Sequence, residues 1–101
     1  MDISPYIHDD KSTVVLFEIS GCPFCQDFQP AFWDFAENNL QGYELLRVLL
    51  DDEHSPLWKR YQINAVPAVI LFAKGEIMAR LDSELGVGLT SGQLGAFAKL
   101  F

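Results

Sequence analysis

The sequence predicts a mixed α/β domain, with about four strands in one sheet and helices packed on both sides of it. Three observations lead there. Runs of β-branched and apolar residues, such as 13–19 (TVVLFEI) and 68–73 (AVILFA), alternate with segments whose apolar residues recur every three or four positions. Those runs are apolar almost without a break, the pattern of strands covered on both faces. The length of 101 residues and an apolar fraction of 50% suit a single domain over residues 1–101. A chain this rich in Phe, Leu and Ile buries enough surface to offset the entropy of ordering.

The elements follow in order. Residues 2–10 suit a short helix with Ser4 as N-cap and Pro5 at its first position. Residues 13–19 are the first strand. After Ser20-Gly21, the residues Phe28, Ala31, Phe32, Phe35 and Ala36 mark an amphipathic helix over 23–39. Pro30 inside it removes a backbone hydrogen bond and is expected to bend the axis. Residues 43–50 (YELLRVLL) form a second strand, and Ser55-Pro56 opens a short helix over 55–61. Val66-Pro67 leads into the third strand, and Lys74-Gly75 turns into a fourth over 76–81 (EIMARL), antiparallel to the third. The segment 86–88 precedes Thr90, which caps a last helix carrying Leu94, Phe97, Ala98 and Phe101. Strand–helix–strand with a long crossover implies a right-handed parallel pair, and the hairpin adds an antiparallel edge.

Charge narrows the function classes. Seven Lys+Arg against 14 Asp+Glu give a formal charge of −7, which disfavours both nucleic acid and an anionic membrane as partners. Residues 1–53 hold 11 acids and 2 bases, whereas 54–101 hold 3 acids and 5 bases. No apolar run approaches the roughly 18 residues of a membrane span, and the first fifteen residues lack the pattern of a signal peptide. The expectation is a cytoplasmic monomer.

The chemistry lies in Cys22-Pro23-Phe24-Cys25. As a staple this pair is useless, because a bridge so short constrains almost no unfolded-chain entropy. At the start of a helix, however, two thiols three positions apart meet across one turn, and unpaired N–H groups favour a thiolate there. Pro23 gives up an N–H that the first helical position does not use, and biases Cys22 into the extended N-cap conformation. Cys22 is then the exposed nucleophile or leaving group, and Cys25, one turn in, is the buried protonated thiol that resolves a mixed disulfide. Two other readings share the spacing. A structural zinc site needs four ligands, and only His8 and His54 remain. Two inert core cysteines are the second alternative, though Gly21 and Pro23 argue for a shaped site. Local chemistry favours a redox dithiol with no metal and no cofactor beyond itself.

With these residues in view, the sequence resembles the thioredoxin family over about residues 13–101. The resemblance is carried by the strand ending at the dithiol and by Pro30, eight residues after the first cysteine. Tyr61, Ile63, Val66 and Pro67 extend it, followed by Lys74-Gly75-Glu76 and Gly92-Gln93-Leu94. It implies a thioredoxin fold and thiol–disulfide exchange with disulfide-containing protein substrates, supplied by an electron donor that the sequence does not name. It also implies that Pro67 is cis and packed against the dithiol, where X–Pro bonds at large are usually trans. The Val66 backbone would then be free to pair with an extended substrate segment. The implied groove comprises Gly21, Pro23, Phe24, Val66 and the 86–88 loop.

Three departures from the family pattern stand out. Ser20-Gly21 replaces the aromatic approach to the first cysteine. Pro-Phe between the cysteines looks more like glutaredoxins, although the Gly-Gly-Asp signature of that family is missing; a reduction potential between the two families is the expectation. The buried Asp and Lys that serve proton transfer in thioredoxins align with Leu16 and Val48. Glu18 is the candidate substitute base, the competing reading being a partly exposed strand-end carboxylate. Together with Asp27 and Asp34 it is expected to set a negative field around Cys22 that opposes the helix terminus. Only twelve residues precede Thr13, so the family's N-terminal strand is expected to be missing and one sheet edge more open. Phe28, Phe32 and Phe35 read as core, Trp33 and Trp58 as surface contacts without a site, and His8 and His54 as solvent-facing. Asp51-Asp52-Glu53 reads as a solvated loop. The alternative to an oxidoreductase is a non-catalytic protein-binding module on the same scaffold.

Overall fold

β1 (Ser12–Glu18) runs through the middle of the sheet because its sequence is apolar toward both sides, and every residue from Thr13 to Glu18 is buried. Alternation along the strand separates two cores. Val14 and Leu16 pack with Phe28, Phe32 and Phe35 on one face, whereas Val15 and Phe17 pack with Leu57, Tyr61 and Ile63 on the other. Burying each of the phenylalanines stabilises the fold by roughly 1.5–3 kcal/mol. The structure, a computed structural model, describes residue 7 and residues 12–84 and 88–98. The helix expected over 2–10, His8, residues 86 and 87 of the 86–88 segment, and Phe101 lie outside the described residues.

After β1 the chain forms α1 (Pro23–Asn39), β2 (Glu44–Leu49), α2 (Pro56–Arg60), β3 (Ala68–Ala73), β4 (Glu76–Asp82) and α3 (Ser91–Ala98). The sheet order is β2-β1-β3-β4. β1 and β2 are parallel, with Leu16 opposite Arg47, as the α1 crossover requires. β1–β3 and β3–β4 are antiparallel. The mixed four-strand sheet between helices is thus the architecture that periodicity implies. The β3–β4 hairpin turns at Lys74 and Gly75, whose φ angles of 54° and 79° give the twist that a two-residue loop between strands favours.

Caps explain the helix ends. The Ser55 hydroxyl accepts the Leu57 N–H at 3.3 Å to open α2. At α3, Thr90 Oγ1 accepts the Gln93 N–H at 3.2 Å while Gln93 Oε1 accepts the Thr90 N–H at 2.9 Å, a reciprocal capping box. α1 continues through Pro30, which lies on its exposed side. Phe35 stacks on Phe97 at 6.1 Å and 27°, joining α1 to α3. Among the described residues β2 is an outer strand, and Leu45 and Leu49 are each 44% exposed there. The expectation that the family's N-terminal strand is missing falls on residues before Ser12 that lie outside those described, apart from Ile7.

Candidate active site

The dithiol is set by the turn leaving β1. The Cys22 N–H donates to the Ile19 carbonyl at 3.3 Å, and Gly21 takes a φ of 75° that other residues adopt only under strain. Cys22 is the N-cap of α1, with φ −74° and ψ 117°, the extended conformation that a following proline favours. Its carbonyl accepts the Gln26 N–H at 3.0 Å, and its Sγ accepts the Cys25 N–H at 3.3 Å. A sulfur placed there faces the positive end of a 17-residue helix.

The two thiols are unequal. Cys22 is half-buried, whereas Cys25 is 1% exposed. Burial, first of all, pushes the Cys25 thiol up from 9.0 to about 12; its side-chain hydrogen bond with Cys22 and the negative charges of Cys22 and Glu18 act in the same direction, and a backbone hydrogen bond with Ile19 opposes them. Cys25 therefore holds its proton at neutral pH.

Glu18 is not a partly exposed strand-end carboxylate: it is wholly buried beneath the start of α1. Arg47 Nε donates to its Oε1, and Gln29 Nε2 donates to its Oε2 at 2.7 Å. Arg47 reaches it because β2 pairs in parallel with β1, and the Arg47 side chain remains 47% exposed. Leu16 and Val48 sit in the two cores as apolar residues, so the buried carboxylate enters two positions further along β1. Two of the three carboxylates expected around Cys22 are placed by other contacts. Glu18 acts on Cys25, and Asp34 lines a separate groove between α1 and α3 with Phe35, Asn38 and Leu94.

The approach to the dithiol is tied down from across the sheet. Ser20 donates its N–H and its hydroxyl to the two oxygens of Asp51, both at 2.7 Å. These bonds, backbone first, hold the Asp51 carboxyl below the usual carboxylate range. The 51–53 segment is therefore exposed, as expected, but one of its carboxylates is engaged with the dithiol loop.

A groove of about 240 Å³ opens beside Cys22. Phe24 and Val66 line it as expected, and Ile19, Trp58, Asn64 and Ala65 complete it. Trp58 corrects the reading of a surface contact without a site. Its signal in the sequence was weak, because a tryptophan 36 positions from Cys22 joins the dithiol only through the packing of α2. Gly21 and Pro23 are exposed beside Cys22 and do not line the groove. The Val66–Pro67 bond is cis, as the resemblance implies, and Pro67 is buried with its carbonyl accepting the Ser83 hydroxyl. Gly88 lies against Phe24: a Cβ there would come 3.0 Å from the Phe24 Cβ, at a φ of 79°. Among the described residues no three His, Cys, Asp or Glu side chains gather as a metal site. No helix of the described residues is long and apolar enough to cross a membrane.

Solved thioredoxins share this architecture. Mitochondrial thioredoxin 3 of Saccharomyces cerevisiae matches with a TM-score of 0.77 at 17% identity, over 98% of this chain and 87% of that one. Thioredoxin O2 of Arabidopsis thaliana matches at 0.74 and 18% identity, over 97% and 82%. The germline-specific thioredoxin Deadhead of Drosophila melanogaster matches at 0.72 and 21%, over 92% and 84%. At these identities the likeness is one of fold. In sequence, the thioredoxin-like domain matches residues 1–86, most of the chain and all of the dithiol, cis-proline and hairpin segments. The chain belongs to the thioredoxin-like domain family.

Proposed function

We propose that the protein is a thiol–disulfide oxidoreductase acting on protein substrates through Cys22 and Cys25. The observation that carries the reading is the asymmetry of the pair: one sulfur capping a helix and reachable from a groove, the other buried and protonated.

The Cys22 thiolate attacks one sulfur of a substrate disulfide, forming a mixed disulfide, while the other substrate sulfur leaves as a thiolate and takes a proton from water. Cys25 then loses its proton and attacks Cys22 Sγ, releasing the second substrate sulfur as a thiol. The substrate gains two electrons, and the protein ends with a Cys22–Cys25 disulfide that a dithiol donor restores. Run backwards, the same steps oxidise a substrate. Glu18 is the acceptor for the Cys25 proton, a role supported by its burial and by its charge acting on that thiol. Val66 holds the substrate backbone as a strand would. Among the described residues its own N–H and carbonyl have no hydrogen-bond partner. Gly21, Pro23, Phe24 and Pro67 shape the surface around that contact. A cytoplasmic, monomeric protein is part of this reading, since free thiols are kept reduced in that compartment.

Reduction of insulin by a small dithiol tests it. The protein is expected to accelerate the precipitation that follows cleavage of insulin's interchain bonds. No acceleration over the dithiol alone would favour a non-catalytic binding module.

A further inference from the structure

We infer that Trp58 forms a side-chain subsite beside Cys22 that selects substrate segments carrying a bulky apolar residue next to the reacting cysteine, with Lys or Arg around it. The inference rests on the exchange reading above and names the substrate class it serves.

Size is the first argument. The groove, at about 240 Å³, falls below the roughly 300–1,000 Å³ of small-molecule sites and suits one large side chain. Position is the second. Cys22 is part of the wall, so a substrate sulfur bonded to it lies at the groove mouth. Successive residues of an extended segment are only about 3.3 Å apart along the strand, which sets the neighbour of the reacting cysteine over Trp58.

Rigidity is the third. The Trp58 indole N–H donates to the Asp52 carbonyl at 3.1 Å, and the ring packs against the core cluster that includes Leu57 and Tyr61. Its backbone carbonyl accepts the Ile63 N–H at 2.8 Å. With its single donor satisfied, the indole offers the groove an apolar, pre-ordered surface, the kind of residue that dominates binding at interfaces. Ile19 and Ala65 continue that surface, and Asn64 is the one amide side chain in the wall.

Charge is the fourth. Asp51, Asp52 and Glu53 are consecutive and exposed, and the Asp52 carbonyl holds Trp58 itself. Asp51 is kept ionised by Ser20. Of the nearby cations on α2, Arg60 lies over the Tyr61 ring at 5.7 Å, and Lys59 is exposed. Glu53 also lies 3.5 Å from the His54 ring, and Arg47 acts on Asp51. What remains beside the groove is a partly offset cluster of three carboxylates, which attracts a basic segment and repels an acidic one.

The test uses three short peptides, each with its cysteine disulfide-linked to 5-thio-2-nitrobenzoate, so that attack on the peptide sulfur releases colour. One has phenylalanine after the cysteine and flanking lysines, one has glycine in place of the phenylalanine, and one has glutamates in place of the lysines. The second-order rate constant for colour release from excess pre-reduced wild-type protein is expected to favour phenylalanine over glycine by roughly tenfold, the scale of filling an apolar pocket. Trp58→Ala is expected to bring that ratio within about twofold of one, and Trp58→Phe to keep most of it. Asp52→Asn with Glu53→Gln is expected to shrink the lysine-over-glutamate preference and leave the phenylalanine-over-glycine ratio in place. A wild-type ratio near one overturns the subsite, even if Trp58→Ala fails to fold, and so does an unchanged ratio in a folded Trp58→Ala protein. Colour release from none of the three peptides overturns the exchange reading itself.

Discussion

A Cys25→Ser variant is expected to complete the first transfer and then stop, holding its substrate as a stable mixed disulfide on Cys22. Turnover should fall by on the order of 10³-fold or more, the scale seen when one member of a cooperating catalytic set is removed. A Cys22→Ser variant should fail at the earlier step and trap nothing. The difference follows from the geometry. Cys22 is reachable from the groove, whereas Cys25 is 1% exposed and its thiol is pushed up to about 12. At pH 7 only about one part in 10⁵ of such a thiol is ionised, so it is a poor first nucleophile. It becomes effective once a neighbouring sulfur is already bonded to substrate. Mass spectrometry of each variant after incubation with a disulfide substrate checks this. An adduct on Cys25 in the Cys22→Ser protein, or sustained turnover by Cys25→Ser, would contradict the assignment.

The second large effect is expected from Glu18→Gln. If the carboxylate accepts the Cys25 proton, its loss should slow ring closure by about 10²-fold, the lower end of general-base contributions. The slowed step should then rise about tenfold per pH unit between pH 6 and 9, because only the pre-ionised thiolate reacts and its fraction grows steadily below pH 12. One effect opposes this. Glu18's negative charge helps to push the Cys25 thiol up, so removing it eases ionisation. That contribution is the smallest of those acting on Cys25, and burial is the largest, so loss of the base is expected to dominate. Arg47 loses its ion pair in this variant, but its side chain is half-exposed and can turn to water, which limits the cost to stability. Stopped-flow measurement of ring closure gives the result directly. Equal rates for the two proteins across pH 6–9 would remove Glu18 from proton transfer.

The features legible in the sequence were those governed by neighbours along the chain. α1 begins at Pro23 and ends at Asn39, as the proline and the apolar spacing indicate, because a cap and a 3.6-residue period are local properties. β3 covers 68–73 because an unbroken apolar run bounded by Pro67 and the Lys74-Gly75 turn is also a local property. The parallel β1–β2 pair and the antiparallel hairpin follow from connection lengths. The role of Cys22 as N-cap was likewise readable from Pro23 alone.

The missed features depend on partners far apart in sequence. Glu18 is held by Gln29, 11 positions away, and by Arg47, 29 away. No periodicity in the strand announces that its terminal carboxylate will be covered by the first turns of α1. Ser20 meets Asp51 across 31 positions, which converts a loop that reads as solvated into a brace for the dithiol. Trp58 enters the groove because α2 packs beside the end of β1, and its isolated position on a five-residue helix carries no such signal. The groove is accordingly the part of the site that the sequence described least completely. The family's aromatic approach to the dithiol is absent here, and Trp58 and Phe24 supply aromatic surface next to Cys22 from other positions.

The central claim is that the two thiols divide the work between an exposed nucleophile and a buried resolving group. Timed alkylation of the native dithiol with iodoacetamide at pH 7, followed by peptide mapping, tests this most directly. Cys22 is expected to be labelled first, by on the order of 100-fold or more over Cys25, since Cys25 is 1% exposed and its thiol is pushed up to about 12. Equal labelling of the two, or faster labelling of Cys25, would contradict the division of roles.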